Sequence, residues 1–207
     1  VVVSKLDKVP ETADAVVNAE NIKELNKFIQ LHYLNSKEVP TDLDSLVYGA
    51  GTSAGSTISG PWAVNPWSAP SLLQPITVTD SIKTALNNIG LISVHQYDDA
   101  QTTTTITTNS TVLAQVDPNF IKPVIVMGEQ KTIKGCIVLG MGDYNRCPNS
   151  DVKLSNIPKC PLVKKNPAYN VEYKNYLLLI KVDTTVTPPV AEYVGFTDPT
   201  FMSAYLN

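Results

Sequence analysis

The sequence predicts an α+β fold in which a long N-terminal α-helix packs on an antiparallel β-sheet, with a second short helix and long loops. Three observations carry that expectation. One apolar stripe near the N-terminus (Ala15, Ala19, Ile22, Leu25, Ile29 and Tyr33) recurs at steps of three and four residues. Strand-like apolar runs fill the second half, at residues 124–127, 136–139, 176–182 and 191–196. Helices come first and strands later, which favours an antiparallel sheet over a doubly wound one.

The first helix is expected from Glu11 to Asn35. Pro10 suits its first turn, and Glu11 and Asp14 sit near the positive end of its dipole. Phe28 and Leu31 widen the apolar stripe, while Glu20, Lys23, Glu24 and Lys27 mark the opposite side. Residues 35–41 stop the helix, and the segment before Pro10 continues it upstream with a kink. Residues 40–78 read as an irregular connection with one short helical turn at 41–46. Trp62 and Trp67, each preceded by a proline, pin that connection to the core. The second helix starts at a Thr79/Asp80 cap, runs through Ile82, Ala85, Leu86 and Ile89, and stops at Gly90. Residues 91–97 follow as a strand, and the threonine-rich stretch 101–111 suits exposed strands or an extended loop. The whole chain, 1–207, reads as one domain: 1–35 the long N-terminal helix, 36–78 a long connecting loop, 79–207 the short helix and antiparallel sheet.

Composition removes several classes of function. A formal net charge of −3 argues against nucleic-acid binding, which needs a cationic face. No stretch approaches the roughly 18 uninterrupted apolar residues of a membrane-spanning helix. With 43% hydrophobic and 17% charged residues the chain has enough apolar material for a core, so wholesale disorder is excluded.

Cys136 lies in an apolar strand-like run and reads as a buried thiol. Cys147 and Cys160 stand in loop sequence at a spacing that suits a disulfide, worth roughly 3 kcal/mol in the chain-entropy account. Such a bridge implies an oxidising compartment. Zinc is disfavoured because no C-x-x-C pair is present. Asp143, Asn145, Asn149 and Asp151 are oxygen-ligand candidates for calcium, but the glycine and terminal glutamate of a calcium loop are missing, so solvated loop polars are the simpler reading. His95, beside Asp98 and Asp99, reads as a strand end with a charged turn. Asn109-Ser110-Thr111 matches a glycosylation sequon by letter.

Two catalytic patterns nearly appear. Gly51-Thr52-Ser53-Ala54-Gly55 fits G-x-S-x-G, but the residues after it cannot form the helix that a nucleophile elbow needs. Only His32 and His95 could serve Ser53 as base, and the order serine, acid, histidine leaves Asp80 alone as the acid. Gly49-Ala50-Gly51-Thr52-Ser53-Ala54 fits a dinucleotide fingerprint by letters but fails on context for the same reason, since no helix N-terminus receives a pyrophosphate.

Ser4-Lys5-Leu6-Asp7-Lys8, the helix through Asn21-Ile22-Lys23-Glu24-Leu25, and Leu31-His32-Tyr33-Leu34-Asn35-Ser36-Lys37-Glu38-Val39-Pro40-Thr41 together resemble the type IV pilin-like proteins. They are most similar to the major pseudopilin of type II secretion. The resemblance covers the first quarter of the chain. It implies a basic leader, a cleavage site and an apolar N-terminal helix half upstream of Val1, with Val1-Val2-Val3 as the stub of a severed stem. Read alone, the three valines also suit an edge strand or a tag-adjacent fragment. The resemblance further implies a long helix on an antiparallel sheet, and polymerisation with other pilin or pseudopilin subunits by a secretion or pilus machinery. The location it implies is the bacterial periplasm or cell surface, anchored in the inner membrane only through the missing helix. The chain departs from the major pseudopilin in its greater length, its three cysteines and its lack of a clear acidic calcium loop.

The expected function is therefore a non-enzymatic structural subunit of a pilus-like or pseudopilus filament with no cofactor, calcium being the one candidate. The alternatives are an extracellular adhesin or carbohydrate-binding module using Trp62 and Trp67, and a serine hydrolase using Ser53.

Overall fold

The structure is a computed structural model of the 207-residue chain. It describes residues 8–48, 57–58, 73–96, 102–118, 124–126, 129–131, 133–147, 157–164, 173–199 and 204–206. Ser53, Trp62, Trp67, Asp98, Asp99, Asn149 and Asp151 lie outside the described residues, as does the segment 1–7.

Helix α1 spans Lys8–Ser36. It ends where Lys37 turns to a φ of 61°, a left-handed position more often given to glycine, and the Lys37 amide closes on the Tyr33 carbonyl at 2.8 Å. Its buried stripe differs from the expected one. Ile22, Leu25 and Ile29 are buried and Tyr33 is half-buried, but Ala15 and Ala19 are exposed. Asn18 and Asn26 occupy the buried side in their place. The reason is polar: the Tyr176 hydroxyl donates to Asn18 Oδ1 at 3.0 Å, and the Tyr193 hydroxyl donates to Asn26 Oδ1 at 2.5 Å. These bonds satisfy polar groups that would otherwise be costly to bury. The three aliphatic side chains contribute about 1.5–3 kcal/mol each.

Helix α2 spans Asp80–Asn87. Thr79 caps it, its Oγ1 accepting from the Ile82 amide at 3.2 Å. Ala85 and Leu86 face the core.

The strands are β1 (Leu43–Asp44), β2 (Val47–Tyr48), β3 (Thr57–Ile58), β4 (Leu73–Ile76), β5 (Ser93–His95), β6 (Thr103–Thr105), β7 (Leu113–Val116), β8 (Val124–Val126), β9 (Glu129–Lys131), β10 (Ile137–Gly140), β11 (Leu177–Asp183), β12 (Val190–Thr197) and β13 (Ala204–Leu206). Nine of them form one sheet among the described residues, ordered β13-β12-β11-β10-β1-β5-β6, with β7 and β4 branching from β10. β2 pairs with β3, and β8 with β9, apart from it.

This sheet corrects the expected antiparallel one. It is mixed, because β1 runs parallel to β5, Leu43 opposite Val94 and Asp44 opposite His95. Residues 41–46, expected as a helical turn, supply β1 instead, and β4 lies inside the stretch expected to be irregular. A parallel pair needs a long crossover, which here runs from β1 to β5 and contains α2. On the edge of β10 away from β11, β7 pairs along Ile137 and Val138 while β1 pairs at Gly140, so the sheet forks there.

β11 is the apolar centre. Leu177, Leu178, Leu179 and Ile180 are all buried, the continuous pattern of a strand covered on both faces. Leu178 and Ile180 join Ile22, Ile29, Leu86 and Phe196 in the main core. Both helices pack on this sheet, α1 on β12 and β13, α2 on β11 and β12. The β11–β12 register shifts between Leu179 and Ile180, opposite Gly195, whose φ of 146° suits a bulge. No helix of the described residues is long and apolar enough to cross a membrane.

Candidate functional site

The parallel pair β1–β5 carries the densest cluster of buried polar side chains. In a strand, residues two apart share a face, so Asp42 and Asp44 on one segment meet Ser93 and His95 on the other. The Ser93 hydroxyl donates to Asp42 Oδ1 at 2.5 Å, and Thr41 Oγ1 lies 3.0 Å from Ser93 Oγ. His95 Nδ1 lies 3.4 Å from Asp44 Oδ1, with both side chains buried. The Tyr173 hydroxyl donates to Asp44 Oδ2 at 2.5 Å, and Asn175 Nδ2 donates to the same oxygen at 3.3 Å.

The loop after β10 closes the cluster. Tyr144 stacks on the His95 imidazole with ring centroids 3.8 Å apart and planes inclined by 13°. Arg146 Nε sits 3.6 Å from Asp42 Oδ2. Gly140 and Gly142 leave the space the cluster needs. A Cβ on Gly140 would collide with the Tyr173 hydroxyl, and one on Gly142 would collide with the Asp44 carboxylate. Burial holds the Asp44 carboxyl above its ordinary pKa; the Tyr173 hydroxyl, the positive form of His95 and the Asn175 amide pull the other way without cancelling it.

Chemically the cluster is a carboxylate–imidazole pair clamped from several sides. The only hydroxyl it holds on β5, that of Ser93, is committed to Asp42 rather than to His95. Its evident work is to tie β1, β5, the 140–146 loop and the approach to β11 together.

The other residues singled out by sequence fall elsewhere. His32 Nε2 lies 3.4 Å from Ser36 Oγ, at the end of α1. Asp80 Oδ1 accepts from the Thr108 hydroxyl at 2.6 Å. Asp143 is exposed and pairs with Lys159 at 3.1 Å, whereas Asn145 is fully buried with its Nδ2 against Met141 Sδ at 3.9 Å. The two calcium candidates among the described residues therefore lie in different environments. No group of three or more His, Cys, Asp or Glu among the described residues could hold a metal ion.

The expected disulfide is also corrected. Cys136, Cys147 and Cys160 are all buried, and no disulfide joins any two of them among the described residues. The Cys160 thiol instead donates to Asn18 Oδ1 on α1 at 3.2 Å, which draws it into the helix–sheet interface. Cys136 is held by burial at a pKa of about 11, the state of an inert core thiol.

Sequence reasoning missed Asp42, Asp44, Tyr173 and the asparagines of α1. The signal for the first two was present: Asp42-Leu43-Asp44 and Ser93-Val94-His95 both alternate polar and apolar residues, the period of a strand. Compared with protein families, with curated proteins and with solved structures, the chain matches none.

Proposed function

We propose that this chain is a non-enzymatic structural subunit of an extracytoplasmic filament of the pilin or pseudopilin kind, carried on its N-terminal helix. The observation that carries this reading is the way α1 meets the body of the protein. From Ala13 to Val17 no side chain is buried, and Asn18 is the first buried position among the described side chains. From there to Ile29 the helix is held by aliphatic contacts and by hydrogen bonds to Tyr176 and Tyr193. A helix with exposed side chains at Ala13, Ala15, Val16 and Val17 that then locks onto the sheet suits a stem that fixes a head at a set angle. The reading rests on this helix and its sequence, not on the sheet, whose mixed topology is not the one the resemblance implies.

The polar cluster fits the same reading, as a brace within the head rather than a reaction centre. The coding sequence upstream of Val1 tests it. A basic leader followed by about 20 apolar residues is expected, the length of a membrane-spanning helix. A reading frame that opens at Val1 with no such segment would overturn the proposal.

A further inference from the structure

The outer face of α1 carries a charge pattern that is symmetric about its own middle. Ala13, Val16, Glu20, Lys23, Glu24, Lys27, Leu31 and Leu34 are all exposed. At 100° per residue they fall within an arc of about 100°, on the side of the helix away from Ile22 and Ile29. Val16, Leu31 and Leu34 are 59%, 60% and 57% exposed, and Phe28 flanks them at 48%. Steps of three and four residues are those of a helix–helix seam.

Read from either end about the midpoint between Lys23 and Glu24, the seam complements itself. Ala13 mirrors Leu34, Val16 mirrors Leu31, Glu20 mirrors Lys27, and Lys23 mirrors Glu24. A two-fold contact requires this relation, since residue i of one copy must suit residue j of the other and the reverse. A parallel pair in register would instead set Glu20, Lys23, Glu24 and Lys27 each against its own like charge.

We infer that two copies of this chain associate antiparallel through the outer faces of α1, with Val16 and Leu31 packed across the pair and Glu20 facing Lys27. The two N-terminal ends then leave in opposite directions. The contact joins subunits of opposite polarity, in adjacent filaments or as free heads, and it stands or falls independently of the filament proposal.

Sedimentation velocity on the 207-residue chain tests it. A concentration-dependent dimer is expected, with Leu31→Glu raising its dissociation constant about tenfold or more while leaving the fold intact, because Leu31 is 60% exposed. Glu20→Lys/Glu24→Lys and Lys23→Glu/Lys27→Glu variants should each be monomeric alone and dimerise when mixed. Orientation is read by oxidising an equimolar mixture of Val16→Cys and Leu31→Cys chains, which should cross-link to each other and not to themselves. A chain that stays monomeric at all concentrations would overturn the inference. So would a Val16→Cys chain that cross-links to itself, or a dimer that Leu31→Glu does not weaken.

Discussion

The hydroxyl of Tyr176, just before the central strand, lies 3.0 Å from Asn18 Oδ1 on the N-terminal helix, 158 residues away in sequence. Asn21 Nδ2 donates back to the same hydroxyl at 3.2 Å, and the Cys160 thiol donates to Asn18 at 3.2 Å. The helix is thus sewn to the sheet by a small polar network at Asn18 and Asn21, with Ile22, Leu25 and Ile29 packed beyond it.

Tyr176→Phe should therefore destabilise the protein by about 1–3 kcal/mol, since Asn18 and Asn21 each lose a buried partner. Urea unfolding followed by far-ultraviolet circular dichroism measures it. An unchanged midpoint would show that the network does not hold the helix.

Gly142→Ala should cost about 1–3 kcal/mol, because the added methyl group takes the place of the Asp44 carboxylate and forces it off Tyr173. The same substitution at Gly135, where a Cβ would meet no atom within 4 Å, is the control for crowding. Its own cost comes only from a φ of 72°. Thermal unfolding of both variants separates collision from backbone strain.

The buried Asp44 sets a pH dependence with a definite sign. Its folded pKa is raised above the value of about 4 in an unfolded chain, chiefly by desolvation. The folded state binds the proton more tightly, so the stability from this group is present in full below the unfolded value and is lost as pH rises through the folded one. Asp44→Asn, which stays uncharged, should gain on the parent protein as pH rises above the unfolded carboxyl range of about 4, and hold its gain once the folded carboxyl has ionised. Denaturant titrations across that range check it, and parallel profiles would contradict it.

All three cysteines should be alkylated by iodoacetamide in denaturant without prior reduction, and none should react quickly in the native protein. Burial explains the native inertness and the absence of a bridge explains the denatured reactivity. Mass spectrometry counts the adducts. Fewer than three in denaturant would restore the disulfide between Cys147 and Cys160.

What could be read from the sequence followed from length and periodicity. α1 is long enough for its three- and four-residue rhythm to stand out, and the Thr79 cap and Gly90 mark α2 without tertiary information. The runs around Val138 and Leu179 announce strands because their residues are apolar without interruption. β1 escaped because its one alternation, Asp42-Leu43-Asp44, is too short to outweigh the helical turn that Asp-Leu-Asp-Ser-Leu equally suits. Its parallel partner is fixed by a crossover of about 50 residues, a relation that no local pattern encodes. The buried asparagines of α1 were hidden for a related reason. Asn18 and Asn26 look like surface residues until Tyr176 and Tyr193 are placed opposite them.

Immunogold electron microscopy on cells that make the whole gene product tests the central claim most directly. Antibody against this chain should decorate surface filaments that shear into the medium and are lost when the gene is deleted. A chain found only unassembled, in cells whose filaments are unchanged by the deletion, would contradict the account.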